Sequence, residues 1–156
     1  MPFANTAEEK FKEWLEHKQC SYIYLDQSVG TFSSLFKNTV KRPDFFVLIN
    51  DIGLIAVDIK GRKKANEYYH DGYFNLNETG DTQKLLAFER RFKIPVWIVF
   101  SIEAANYLSW YWISLSEILE QAPIIDAKDK SPFRSISLKT CKTIGWDDGL
   151  FKLFGA

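Results

Sequence analysis

Two cysteines in 156 residues, Cys20 and Cys141, are too few to staple a fold with disulfides, and neither stands in a C-x-x-C or other metal-ligand spacing. Both read as free thiols of a reducing compartment. No apolar run approaches the roughly 18 residues of a membrane span. The polar stretch 1–12 lacks the apolar centre of a secretory signal, so the expectation is a cytoplasmic protein that makes no membrane contact. Neither sign of charge is in excess. The 20 basic and 20 acidic residues cancel, which removes the overall basicity that marks many nucleic-acid binders but leaves a local basic face open. Glycine-rich phosphate loops, a G-x-S-x-G elbow and Cys/His clusters are all missing. His17 and His70 lie too far apart in sequence to suggest a metal pair. What is plentiful is apolar and aromatic: 46% hydrophobic residues, with five Trp and thirteen Phe. That composition excludes a disordered or low-complexity scaffold and gives a single domain, 1–156, enough core to fold.

Along the chain, Phe11, Trp14 and Leu15 recur at helical spacing within residues 4–18. Asn5 or Thr6 can cap this helix, and Glu8 and Glu9 fall in its favourable first turn. Residues 21–26 are a short β-rich run, and a polar loop then leads to Lys41 and Arg42. The apolar runs Phe45 to Ile49 and Leu54 to Ile59 flank Asn50-Asp51-Ile52-Gly53, which predicts an antiparallel hairpin. After about twenty polar and aromatic residues, Thr82 to Lys93 carries a second helical pattern with Asp81 as its cap. Pro95 to Phe100 is a continuous apolar run of the kind buried on both faces of a sheet. Trp110 to Leu115 and Phe133 to Leu138 read as further strands, with a short helical turn at 116–120. The order αβββαβ predicts a mixed α/β domain with its core at about 5–115. Residues 116–156 are expected to be a C-terminal elaboration serving oligomerisation or specificity.

The chemistry concentrates in Pro43-Asp44 and, fourteen residues after Asp44, Asp58-Ile59-Lys60. Side chains alternate along a strand, so Asp58 and Lys60 share a face. Ending the apolar strand Leu54 to Val57 on charge is costly unless the charge is solvated, paired or bound to metal. The hairpin brings Asp44, at the start of one strand, near Asp58 at the end of the other. Two carboxylates and an ammonium then converge, a set suited to Mg²⁺ or Mn²⁺ and to phosphodiester hydrolysis. Each residue also has an ordinary reading: Asp44 as a turn acceptor, Asp58 and Lys60 as a surface ion pair, and Glu8 and Glu9 as helix-dipole partners. Between residues 37 and 64, Lys37, Lys41, Arg42, Lys60, Arg62, Lys63 and Lys64 outnumber Asp44, Asp51 and Asp58 by four. This is either a phosphate-contacting rim or a solvated loop. Tyr68, Tyr69, His70, Tyr73 and Phe74 either stack on bases or cover a core edge.

These motifs resemble the PD-(D/E)XK nuclease superfamily, the restriction-endonuclease-like and Holliday-junction-resolvase-like fold, with the aspartate variant of its second acid. Glu8 matches the helical glutamate of the resolvase-like members, Gln83 opens the second helix, and Ile94 to Phe100 follows it, so the resemblance spans about residues 5–101. It implies a central mixed sheet flanked by helices and a Mg²⁺-dependent DNA endonuclease of restriction, homing or junction-resolving type, with Mn²⁺ able to substitute. It further implies that Asp44, Asp58 and Glu8 hold metal and that Lys60 and Gln83 complete the catalytic set. Lys41, Arg42, Arg62, Lys63 and Lys64 are expected to contact duplex or branched DNA, with the chain acting as a homodimer or higher oligomer. The alternative is a catalytically inactive module on the same fold that binds nucleic acid or a protein partner.

Overall fold

The computed structural model of the protein describes residues 6–28, 30–31, 33, 39–63, 65–68, 71–126 and 128–154. Helix α1 (Thr6–His17) buries the Phe11, Trp14 and Leu15 stripe completely. Its proposed cap Asn5 lies outside the described residues. Strand β1 (Tyr22–Tyr24) pairs with β2 (Phe45–Ile49), which forms the expected hairpin with β3 (Gly53–Arg62). The Ile52 amide closes the turn on the Ile49 carbonyl at 3.1 Å. Asp51 and Gly53 take up the positive φ angles, 66° and 123°, that the tight connection requires.

Beyond Lys60 the polar, aromatic stretch is not a loop. It forms β4 (Asn66–Tyr68) and β5 (Asp71–Asn77), followed by a π-helical turn (Glu78–Thr82) that runs directly into α2 (Gln83–Phe92). The signal for β5 is the alternation of Phe74 and Leu76, both buried, with Asn75 and Asn77. Then come β6 (Val96–Ile102), β7 (Ser109–Ser114), α3 (Leu115–Gln121), β8 (Ile124–Ile125), β9 (Phe133–Ser137), β10 (Lys142–Gly145) and a final 3-10 turn (Leu150–Leu153). The Ser114 hydroxyl caps α3 by accepting from the Glu117 amide.

The main sheet has the order β1-β2-β3-β6-β7-β10, parallel at β3–β6 and antiparallel at its other pairings, and is therefore mixed. A second, antiparallel sheet has the order β4-β5-β9-β8. Residues 116–156 are more than an elaboration: β10 extends the main sheet beside β7, and β9 pairs with β5. One face of the main sheet packs under α1 through Phe11, Trp14, Trp110 and Trp112. The other packs under α2 and α3 through Phe74, Leu85, Phe88, Phe100 and Ile118. Phe74 stacks on Phe100 with centroids 4.3 Å apart, so it belongs to the core and not to a base-stacking surface. Each fully buried large apolar side chain contributes about 1.5–3 kcal/mol, and these two layers hold the sheet rigid between them. Gly61 fixes the approach of α1, because a Cβ there would stand 2.9 Å from the Ala7 Cβ. Among the described residues, no helix is long and apolar enough to cross a membrane.

Candidate active site

Asp58 lies in the middle of β3, opposite Ile98 of the parallel neighbour β6, and is fully buried. A carboxylate in such a place must be compensated. On one side the hairpin register brings Asp44 alongside. Its amide donates to the Val57 carbonyl at 3.0 Å, and its Oδ2 accepts from the Ile59 amide at 2.7 Å. The close packing of α1 at Gly61 presents Glu8, only 1% exposed, to the same place. Glu8 hydrogen-bonds the Asp44 carboxyl and accepts from the Tyr24 hydroxyl at 3.3 Å.

Three acids in so little water repel one another. Burial, then the charges of Asp58 and Glu8, push the Asp44 carboxyl well above its ordinary value. Burial and the charge of Asp58 raise Glu8 against its hydrogen bond from Tyr24. Its sequence neighbour Glu9 is less buried, and Glu8 is the one whose carboxyl meets Asp44.

On the other side of Asp58 are the cations. The Lys60 ammonium is 3.1 Å from Asp58 Oδ2 and 2.9 Å from Asp81 Oδ1. Lys41 reaches the same two carboxylates, Asp58 at 3.5 Å and Asp81 more closely. Lys41, Asp58, Lys60 and Asp81 therefore close a ring of alternating charge. Burial acts to deprotonate Lys60, but the charges of Asp58 and Asp81 outweigh it and hold the ammonium above its ordinary value. Asp81 is held below its ordinary value, the two lysines overcoming its burial. Both lysines meet Asp58 through Oδ2, and Oδ1 is buried without a hydrogen-bond partner.

The structure thus gathers Glu8, Asp44, Asp58 and Lys60, and it adds Asp81 and Lys41. Asp81 does not cap α2. Thr82 occupies the N-cap position, and Asp81 sits inside the π-helical turn that precedes it. In the sequence Asp81 is only a helix signal, because nothing local to it announces a partner twenty-one residues upstream. Gln83 is not drawn into this cluster: its amide donates to Glu78 Oε1, and Glu78 in turn pairs with Arg134.

Among the proposed DNA contacts, Arg42 donates to the Asp26 carbonyl and the Thr31 hydroxyl. Arg62 donates to the Gly61 and Asn75 carbonyls and lies over the Phe100 ring. Lys63 is exposed. It lines a cleft of about 280 Å³ together with Gly61, Arg62, Ala7, Glu103 and Tyr107. Lys37, Lys64, Tyr69 and His70 lie outside the described residues.

Among the described residues, no three acidic, histidine or cysteine side chains close into a preformed metal shell. The donor set nonetheless fits a hard divalent cation. It consists of carboxylate oxygens, one of which has no partner, and the two acids beside it are disfavoured as anions by burial first and by the charge of Asp58 besides, costs that such a cation offsets.

No protein-family model matches the chain, and no curated protein matches it in sequence. Among solved structures, the Holliday junction resolvase Hjc of the archaeal hyperthermophile Archaeoglobus fulgidus superposes with a TM-score of 0.55 at 15% identity. The match covers 86% of this chain and 88% of the resolvase. The chain accordingly has the restriction-endonuclease-like, Holliday-junction-resolvase-like fold, with its central mixed sheet flanked by helices.

Proposed function

We propose that the protein is a Mg²⁺-dependent endonuclease acting on duplex or branched DNA. The observation that carries this reading is the convergence of buried Glu8 and Asp58 with half-buried Asp44 beside Lys60, with Asp58 Oδ1 left without a partner. A protein that needed these residues only for stability would gain by closing that oxygen off. The fold shared with a Holliday junction resolvase supports the reading.

Asp44, Asp58 and Glu8 would hold the cation. When bound, it supplies charge stabilisation to the phosphodiester under attack, and Mn²⁺ can take its place. Lys60 is held protonated by Asp58 and Asp81, so it serves as a hydrogen-bond donor that orients water or a phosphate oxygen and not as a base. Exposed Lys63, beside the cleft, contacts the DNA backbone. The expected products carry a 5′-phosphate and a 3′-hydroxyl. Cutting two strands calls for two copies related by symmetry.

The test is a cleavage assay on supercoiled plasmid and on a branched junction with Mg²⁺, Mn²⁺ or EDTA, comparing wild type with Asp58→Ala and Lys60→Ala. Metal-dependent cutting that both substitutions abolish is the expected result. A second reading, an inactive DNA- or partner-binding module, is favoured by one feature: Lys41 and Lys60 already neutralise Asp58 and Asp81 without a metal. DNA retained in a gel shift but never cut would select it.

A further inference from the structure

The ring of charge beside the acids contains one carboxylate, Asp81, that is not among the residues that would hold the cation. Asp81 touches neither Asp44 nor Glu8 among the contacts that build the cluster; its carboxylate meets Lys60 and Lys41. Its backbone support is firm at both ends of the π-helical turn. Asn77 accepts from the Gly80 amide through its side chain at 2.5 Å, and the Thr82 hydroxyl donates to the Asn77 carbonyl at 3.3 Å. At the start of the turn, Glu78 is tied to Arg134 of β9 by two hydrogen bonds, 2.7 and 3.3 Å. π-Helical turns are rare and are found frequently at functional sites.

Lys60, by contrast, is a long and flexible side chain whose ammonium has two anionic partners, Asp58 and Asp81. If Asp58 gives its oxygens to a cation, that partner is weakened, and a like charge now repels the ammonium. The remaining anion within reach is Asp81. We propose that Asp81 is the positioning residue for Lys60: when Asp58 is committed to a cation, Asp81 alone keeps the ammonium at the site, with Lys41 sharing its charge. This rests on the nuclease reading above, in which Lys60 acts on the reacting groups.

Two measurements test it. In the first, Lys60 acetylation by N-hydroxysuccinimidyl acetate is followed by peptide mass spectrometry with Ca²⁺ present, in wild type and in Asp81→Asn. The variant is expected to expose Lys60 and label it several-fold faster, and equal rates overturn the proposal. In the second, single-turnover cleavage at saturating enzyme separates positioning from binding. Asp81→Asn is expected to lose about 100-fold in rate, the scale of a reacting group displaced by an ångström. DNA affinity should be unchanged, and Asp81→Glu should recover much of the rate. Wild-type cleavage by Asp81→Asn, with Lys60→Ala inactive, overturns the proposal and leaves the nuclease reading standing. If wild type itself never cuts, the nuclease reading fails, and the labelling experiment alone decides whether Asp81 holds Lys60. Should Asp81→Asn not fold, Asp81→Ser carries the same comparisons.

Discussion

Two ionic groups flank the π-helical turn, one buried and one half-buried around buried Asp58, and they are built to opposite specifications. At the start of the turn, Arg134 donates from Nε and Nη2 to both oxygens of Glu78, and its Nη1 donates to the Ala122 carbonyl at 3.0 Å. The Gln83 amide adds another donor to Glu78. Toward the end of the turn, Asp81 joins the ring around Asp58, where one carboxylate oxygen has no partner and two neighbouring acids are pushed toward protonation. The first group is closed and electrically complete. The second is left partly unsatisfied, and polar groups left so in a core are where function is to be sought. The contrast teaches that burial of charge does not by itself mark a site, since the Glu78–Arg134 pair is as well buried as many catalytic groups. Surplus like charge together with an open acceptor does mark one.

The sharpest way to break this contrast is to open the closed group. Arg134→Ala leaves Glu78 buried without its counter-charge and is expected to cost about 3–5 kcal/mol of folding stability, measured by urea unfolding. At temperatures where the variant is folded, its cleavage should fall less than that of Asp81→Asn, because the Asn77 contacts still hold the turn. A loss under about 1 kcal/mol would mean that the pair is not closed in solution.

The reverse substitution is made in the open group. Asp44→Asn keeps an oxygen for the Ile59 amide while removing a carboxyl that burial, then Asp58 and Glu8, disfavour as an anion. It should therefore abolish cleavage and still raise unfolding stability by roughly 0.5–2 kcal/mol, as relief of a strained site commonly does. A destabilised variant would show that the three acids do not repel one another in the folded protein.

Acid titration of stability separates the two groups by sign. Burial works to raise the Glu78 carboxyl, but Arg134 and Gln83 overcome it and hold it below its ordinary 4.5. Its stabilisation is therefore present above that value and is lost as pH falls through the lower folded one. Asp44 and Glu8 are raised above 3.8 and 4.5 respectively. Their contribution is complete below those values and is lost as pH rises through the folded ones. Metal-free Asp44→Asn should flatten the second slope and leave the first in place; a change confined to the acid limb would contradict the assignment.

The smallest effect belongs to the periphery of the site. Lys63→Ala removes one exposed cation beside the cleft, so DNA affinity should fall only a few-fold, with the salt dependence of binding reduced by about one unit of slope. No change in the slope would remove Lys63 from the DNA contact surface.

Much of the site is legible in the order of the amino acids. Period-two alternation puts Asp58 and Lys60 on one face. The Asn50-Asp51-Ile52-Gly53 turn sets the register that returns Asp44 to Asp58, and the helical spacing of Phe11, Trp14 and Leu15 fixes which way α1 faces. All three are local, because a strand pleat, a hairpin turn and a helical stripe are determined by residues a few positions apart. The β4–β5 hairpin, the closing of both sheets by residues past 116, and the true place of Asp81 are not legible there. Gln83 is misplaced by its sequence context for the same reason: its first-turn position in α2 says nothing of Glu78 and Arg134 beneath it.

Local patterning along the chain is enough to predict that acids and a lysine meet at the end of a hairpin in a mixed α/β domain with an aromatic core. The tertiary structure alone decided which charges complete them. Lys41 and Asp81 are forty residues apart, and Glu78 and Arg134 fifty-six. Such pairs are chosen by how sheets and turns pack in space, since a carboxylate carries no local pattern that says which distant cation will neutralise it.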